Sequence, residues 1–189
     1  MKNRCQWAMN DEKMERYHDE VWGVPEYDDQ KLFGKLCLDL MQAGLSWRTI
    51  LYKWEGFMEA FDDFHMETVA KYDEAKYEEL LENPNIIRNK LKIRAIIHNA
   101  ARVMEVQQEF GSFSAYLWGF TEGKTVKGYF KTWKDVPASS PLSDQISKDL
   151  KKRGFKFIGT TIVYAFLQAV GIIDDHVEGC WKRDGENDH

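Results

Sequence analysis

The chain has 189 residues, 43% of them hydrophobic and 30% charged, and its 26 basic and 31 acidic side chains give a formal net charge of −5. A chain of this length buries well over half of its unfolded surface and folds without a disulfide framework, so a disordered tail, a collagen-like fibre and a cystine-rich miniprotein are excluded. No stretch reaches the roughly 18 uninterrupted apolar residues of a membrane span, and no apolar signal core follows the first cations; the expectation is a soluble, cytoplasmic monomer with one domain over residues 1–189.

Helical periodicity dominates from about residue 28 and strand alternation is almost absent, which predicts an all-α fold. Asp28 and Asp29 precede a stripe of Leu32, Phe33, Leu36, Cys37, Leu40 and Met41 that ends at Gly44. A second helix is expected from Ser46 to Phe61, and a short element around Val69 and Tyr72. A third helix, capped by Asp73, carries Tyr77, Leu80 and Leu81 and stops at Asn83-Pro84-Asn85. The longest is expected from Ile86 to about Gln108, followed by a short aromatic helix with Phe113, Tyr116, Leu117 and Trp118. Residues 119–142, rich in Gly and Pro, read as a long surface connection. Ser143 or Asp144 then caps a helix that stops at Gly154, Gly159-Thr160-Thr161 opens another that closes at Gly171, and residues 181–189 read as a frayed tail.

Three cysteines, an odd number, read as thiols or metal ligands in a reducing compartment. Cys5 and His18 have twelve residues between them near the start, and His176-x3-Cys180 puts two ligands on one face of a helical turn near the end. Two thiols and two imidazoles would close a structural zinc site and staple the two ends of the chain together; the alternative is four unrelated residues.

Most of the seven tryptophans belong in a core. Trp7, Tyr17, Trp22 and Trp47 differ, because each lies in or beside a polar or glycine-rich segment. In Gln42-Ala43-Gly44-Leu45-Ser46-Trp47, Gly44 permits a sharp turn from which Leu45 either projects or folds inward; a projecting apolar side chain is what proteins insert into a base stack. Asp39, inside an apolar helix, is either a satisfied buried carboxylate or part of a site.

Lys148, Lys151, Lys152, Arg153 and Lys156 surround the glycine-framed turn from Gly154 to Gly159, an arrangement of helix, hairpin and helix. The N–H groups opening the second helix, near Gly159, Thr160 and Thr161, could bind phosphate with Lys156 adding charge, or the cations simply complement the dipole of their own helix. Arg88, Lys90, Lys92 and Arg94 are spread around the long helix and read as solvated surface.

These segments carry a resemblance. Arg4-Cys5-x-Trp7, Tyr17-His18-Asp19, Trp22-Gly23-x-Pro25, Gln42-Ala43-Gly44-Leu45-Ser46-Trp47, Asn85-Ile86-Ile87-Arg88, Lys151-x-x-Gly154-Phe155-Lys156-Phe157-x-Gly159 and His176-x3-Cys180 together resemble type I DNA-3-methyladenine glycosylases, zinc-containing helix-hairpin-helix DNA repair enzymes. The resemblance implies a helix-hairpin-helix bundle and a monofunctional N-glycosyl hydrolase acting on alkylated adenine in double-stranded DNA. It implies one structural Zn2+ on Cys5, His18, His176 and Cys180. It further implies catalysis by Asp39 and Tyr17, base binding by Trp7, Tyr17, Trp22, Asp39 and Trp47, and DNA binding by Gly44, Leu45, Lys156, Gly159, Thr160 and Thr161. Asp175, beside His176, would orient that ring. The family pattern has a glutamate where this chain has Asp39 and a tyrosine where it has Met14, which raises a member of altered base preference, or a non-catalytic zinc-containing DNA-binding protein, as alternatives.

Overall fold

The computed structural model describes residues 1–184 and is nearly all helix. A 3-10 turn, Gln6–Ala8, precedes α1 (Glu12–Glu20), which the sequence reading did not anticipate. Only Met14, Tyr17 and His18 of α1 are buried, so its apolar stripe is a single turn long; Asp11 caps it by accepting from the Met14 N–H. Next come α2 (Asp29–Gln42), capped by Asp28, then α3 (Trp47–Tyr52) and α4 (Trp54–Ala60). The expected single helix from Ser46 to Phe61 is thus broken at Lys53, whose N–H bonds the Ile50 carbonyl.

The short element is α5 (Met66–Ala70), followed by α6 (Glu74–Glu82) under its Asp73 cap and α7 (Lys90–Phe110). Helix α7 starts later than expected because the Asn89 side chain accepts from the Lys92 N–H and fixes the first turn there. α8 (Phe113–Gly119) carries the predicted aromatic residues. Its first amides, Phe113 N–H and Ser114 N–H, donate to the Asp29 carboxylate at the start of α2. The long connection holds strand β1 (Val126–Lys127), which pairs in parallel with β2 (Ile173–Asp174), and a 3-10 turn, Trp133–Asp135.

α9 (Pro141–Lys152) is capped by Ser140, not by Ser143 or Asp144: Pro141 suits a first helical position, and the Ser143 hydroxyl instead accepts from the Ser140 N–H. α10 (Thr160–Ala169) follows the hairpin, packs against α9 and α2, and ends ahead of Gly171. Residues 181–184, expected to fray, form a last turn, α11 (Trp181–Asp184), anchored by the Trp181 N–H on the Asn3 carbonyl and the Trp181 indole on Asp19; the rest of the expected tail lies outside the described residues. The main core lies between α2, α7, α8 and α10, and a smaller aromatic cluster joins the two ends of the chain. No described helix is long and apolar enough to cross a membrane.

Lys92 corrects the reading of the basic run as solvated surface. Its ammonium is buried and donates to the Met41 and Ala43 carbonyls at 2.9 and 2.6 Å, closing the open end of α2.

Candidate active site and metal cluster

The 3-10 turn sets Cys5 and Trp7 on either side of Gln6, while α1 delivers Tyr17 and His18 in succession, so each candidate ligand is next to or near an aromatic side chain. Cys5, His18 and Cys180 are buried, and their ligand atoms lie within 4.8 Å of one another, a group able to hold a metal ion. His18 Nδ1 lies 2.9 Å from Asp19, which leaves Nε2 to the cluster, 3.5 Å from the Cys180 sulfur. The His176 ring stands edge-on to His18 at 5.0 Å, its Nδ1 is 2.7 Å from Asp174, and its Nε2 is buried with no hydrogen-bond partner.

Asp174, rather than Asp175, therefore orients His176. Asp175 instead accepts from Gln168 and from the Tyr164 hydroxyl. Burial tends to raise the Asp19 carboxyl, but hydrogen bonds from Arg4, His18 and Trp181 prevail and hold it below the usual carboxylate range. The hydrogen bond between Cys5 and Cys180 pulls the Cys180 thiol down, against the opposing effect of burial, and pushes the Cys5 thiol up, so the pair holds one thiolate that shares the proton of the other thiol. Gly23, with φ +79°, passes so close to His176 that an added Cβ would sit 2.6 Å from the ring.

Beside this cluster lies a cavity of about 370 Å³, lined by Trp7, Met14, Tyr17, Trp22, Asp39 and Trp47 among others. All five expected base-binding residues are thus brought together. Trp7 and Trp22 meet edge-on at 5.1 Å, and the Tyr17 and Trp47 rings lie 5.0 Å apart, tilted by 41°. Asp39, 5% exposed, has its Oδ2 without a partner, and the buried Trp7 and Trp47 indole N–H groups also lack one. Burial pushes the Asp39 carboxyl up to about 7, with Lys35 pulling the other way; burial also raises the Tyr17 hydroxyl well above its usual value, and Asp39 adds to that.

The sequence reading missed four contributors. Trp133 reaches the cavity from the long connection and packs on Trp7 and Trp22 at 6.1 and 5.8 Å. Its signal was an indole in an otherwise polar, glycine-rich loop. Gln42 and Gln168 line the wall; Gln42 opens the segment that carries Leu45 and Trp47, whereas nothing in the local sequence marks Gln168. Lys35, one helical turn before Asp39 on the buried face of α2, was readable as a charge inside an apolar stripe.

Leu45 stands 41% exposed at the tip of a turn in which its N–H bonds the Gln42 carbonyl at 2.6 Å and Gly44 takes φ +79°. Of the two readings of Leu45, the projecting one holds. In the hairpin between α9 and α10, Asn99 clamps both the N–H and the carbonyl of Lys156, whose side chain is exposed. Gly159 caps α10 without a side-chain bond. The Thr160 hydroxyl is taken up by Asp144 and Ser143, whereas Thr161 is exposed.

Residues 7–183 match the Methyladenine glycosylase family. The chain is 44% identical to DNA-3-methyladenine glycosylase 1 of Escherichia coli (strain K12), covering 94% of this chain and 95% of that protein. It is 40% identical to the DNA-3-methyladenine glycosylase of Haemophilus influenzae, covering 95% and 97%. A crystal structure of 3-methyladenine DNA glycosylase I superposes with a TM-score of 0.91 at 44% identity, covering 95% of this chain and 98% of the other. The Staphylococcus aureus enzyme, solved for its recognition of 3-methyladenine, also gives 0.91, at 40% identity and 95% coverage of both chains. With its fold, its aromatic cavity and its sequence in agreement over nearly the whole length, this chain belongs to the methyladenine glycosylase family.

Proposed function

We propose that this protein hydrolyses the N-glycosidic bond of 3-methyladenine turned out of double-stranded DNA, the first step of base-excision repair. The observation that carries the reading is the unpartnered, buried Asp39 oxygen in a wall of indole and phenol rings. Alkylation at N3 makes the base cationic, which weakens its bond to deoxyribose and lets it depart neutral, so the reaction needs little acid catalysis. It does need an electron-rich pocket. Trp7, Tyr17, Trp22 and Trp47 offer π surfaces to a cationic ring, and the Asp39 carboxylate accepts a hydrogen bond from the base while its charge stabilises the oxocarbenium-like sugar. Tyr17 acts with Asp39 as the second catalytic group, its ring fixed against Trp47.

Leu45, on the turn that Gly44 allows, fills the space the base leaves in the duplex. The amides at Gly159, Thr160 and Thr161, with the Lys156 ammonium, hold backbone phosphates at the start of α10; the occupied Thr160 hydroxyl leaves its backbone N–H for this role. The donor set and the orphaned His176 Nε2 fit one zinc ion held by Cys5, His18, His176 and Cys180. Such an ion supplies no chemistry to the substrate, since four protein ligands leave no place for water; it ties the segment bearing Trp7, Tyr17 and Trp22 to the end of the chain. The enzyme works on this reading as a cytoplasmic monomer.

Altered base preference is the second reading, favoured by Met14 in the cavity wall and by an aspartate one carbon–carbon bond, about 1.5 Å, shorter than a glutamate. The test is base release from duplex DNA treated with a methylating agent, the freed bases being identified chromatographically against an enzyme-free control. Release of 3-methyladenine is expected. Release of another alkylated base alone supports the second reading, and duplex binding with no release from zinc-loaded protein overturns both and leaves a non-catalytic DNA-binding protein.

A further inference from the structure

Behind the aromatic wall sits a cation that the reaction described above does not use. Lys35 is 7% exposed. Its Nζ donates to the Tyr17 hydroxyl at 2.9 Å and lies 4.2, 4.6 and 5.6 Å from the ring centres of Tyr17, Trp54 and Trp47. It occupies the same face of α2 as Asp39, one turn away, but reaches the phenol instead of the carboxylate, and the two form no contact ion pair. On its other side Lys35 lines a second cavity with Glu20 of α1, Glu26 and Asp28 ahead of α2, Lys31 of α2 and Asp63. The chain thus holds an ammonium against two of the rings, Tyr17 and Trp47, that the proposed function assigns to a cationic base.

We infer that Lys35 sets the charge selectivity of the base pocket: a cationic base competes with its ammonium for Asp39 and for the Tyr17 and Trp47 rings, whereas a neutral base does not. This rests on the base-binding reading of the cavity. Two cations around one carboxylate in a dry site repel each other, and a ring already engaged by a cation on one side attracts a second one less. The conflict resolves by loss of a proton from Lys35 to solvent, leaving a neutral amine hydrogen-bonded to Tyr17 and the Asp39 charge to the base. Burial pushes Lys35 down to about 7, with Asp39 and Glu26 opposing, so the release falls within an accessible range. The pocket thereby discriminates by pH: above that range Lys35 is neutral and Asp39 charged, so a cationic base is admitted freely; below it the ammonium opposes a cationic base while Asp39 also takes up a proton, and the difference between wild type and a variant without the Lys35 charge isolates the Lys35 part.

The test measures binding of two small ligands by quenching of tryptophan fluorescence in wild type and Lys35→Met, a change of similar size that removes the charge together with the hydrogen bond to Tyr17. The ligands are 3,9-dimethyladeninium, a fixed cation, and free 3-methyladenine at pH 7.5, where it is neutral. For the cation, the variant is expected to bind about tenfold more tightly than wild type at pH 6, one unit below the Lys35 range, and within about twofold of it at pH 8.5. The neutral base should bind both proteins within about threefold. An equal cation-to-neutral ratio in the two proteins, or a difference that does not change with pH, overturns the inference and leaves Lys35 as packing for Tyr17. Binding of neither ligand by wild type at pH 8.5 overturns the base-pocket reading itself, and the inference with it. Matching circular dichroism and melting curves establish that the variant is folded.

Discussion

Lys92 of α7 donates to the Ala43 carbonyl at 2.6 Å and thereby fixes the end of α2 inside the turn that presents Leu45. A lysine from a helix 49 residues away supplies the C-terminal cap that Gly44 alone does not. Lys92→Met leaves the Met41 and Ala43 carbonyls buried without a donor, a loss of about 1–3 kcal/mol. The expected fall in melting temperature is about 2–4 °C per kcal/mol. Because the Leu45 turn is loosened as well, base excision from duplex DNA should drop more than binding of free 3-methyladenine; equal losses in both would show that Lys92 does not act through the turn.

Asp39 is expected to trade stability for activity. Its folded value of about 7 lies above the roughly 4 of an unfolded aspartate, so the folded protein holds the proton more tightly. The stability from this group is complete below about pH 4 and is lost as pH rises through about 7. Asp39→Asn cannot ionise and should melt above wild type at pH 8, with the advantage shrinking steadily toward pH 4. Excision should meanwhile fall on the order of 100-fold with duplex affinity retained. An unchanged rate would remove Asp39 from the chemistry.

Metal analysis of protein purified without added zinc should find about one zinc per chain, reduced in His176→Ala. Chelation opens a loop of nearly the whole chain and should lower the melting temperature by more than about 5 °C. Tryptophan emission should shift red as Trp7 and Trp22 lose their packing. Full zinc content in His176→Ala would assign the fourth position to another ligand.

The two DNA contacts separate by salt and by substrate. Removing one phosphate contact in Lys156→Gln should reduce the slope of log affinity against log salt by about 0.9. Leu45→Ala should leave that slope unchanged, keep free 3-methyladenine binding intact and slow excision from duplex on the order of tenfold, since only the wedge that stabilises the turned-out base is lost. A salt slope altered by Leu45→Ala would place that turn on the phosphates instead.

The sequence by itself determined the all-α class, most of the helices, the two cysteine–histidine pairs and the set of aromatic residues that converge on one cavity. These are local or pattern properties: apolar side chains three and four apart define a buried stripe, and side chains such as Asp28, Asp73 and Ser112 satisfy the free N–H groups at helix starts. Helix α1 escaped because its stripe lasts one turn, and α9 began early because Pro141 and the reciprocal Ser140–Ser143 bonds outweighed the next candidate caps. What only the tertiary structure decided is the fate of each charge on those helices. Periodicity marks a face as buried but does not say what a lysine there will meet. Lys92 finds the carbonyls at the end of α2, Lys35 finds Tyr17 next to Asp39, and His176 finds Asp174 rather than Asp175. Each outcome depends on groups brought together by packing, and a buried charge settles wherever its hydrogen bonds can be met.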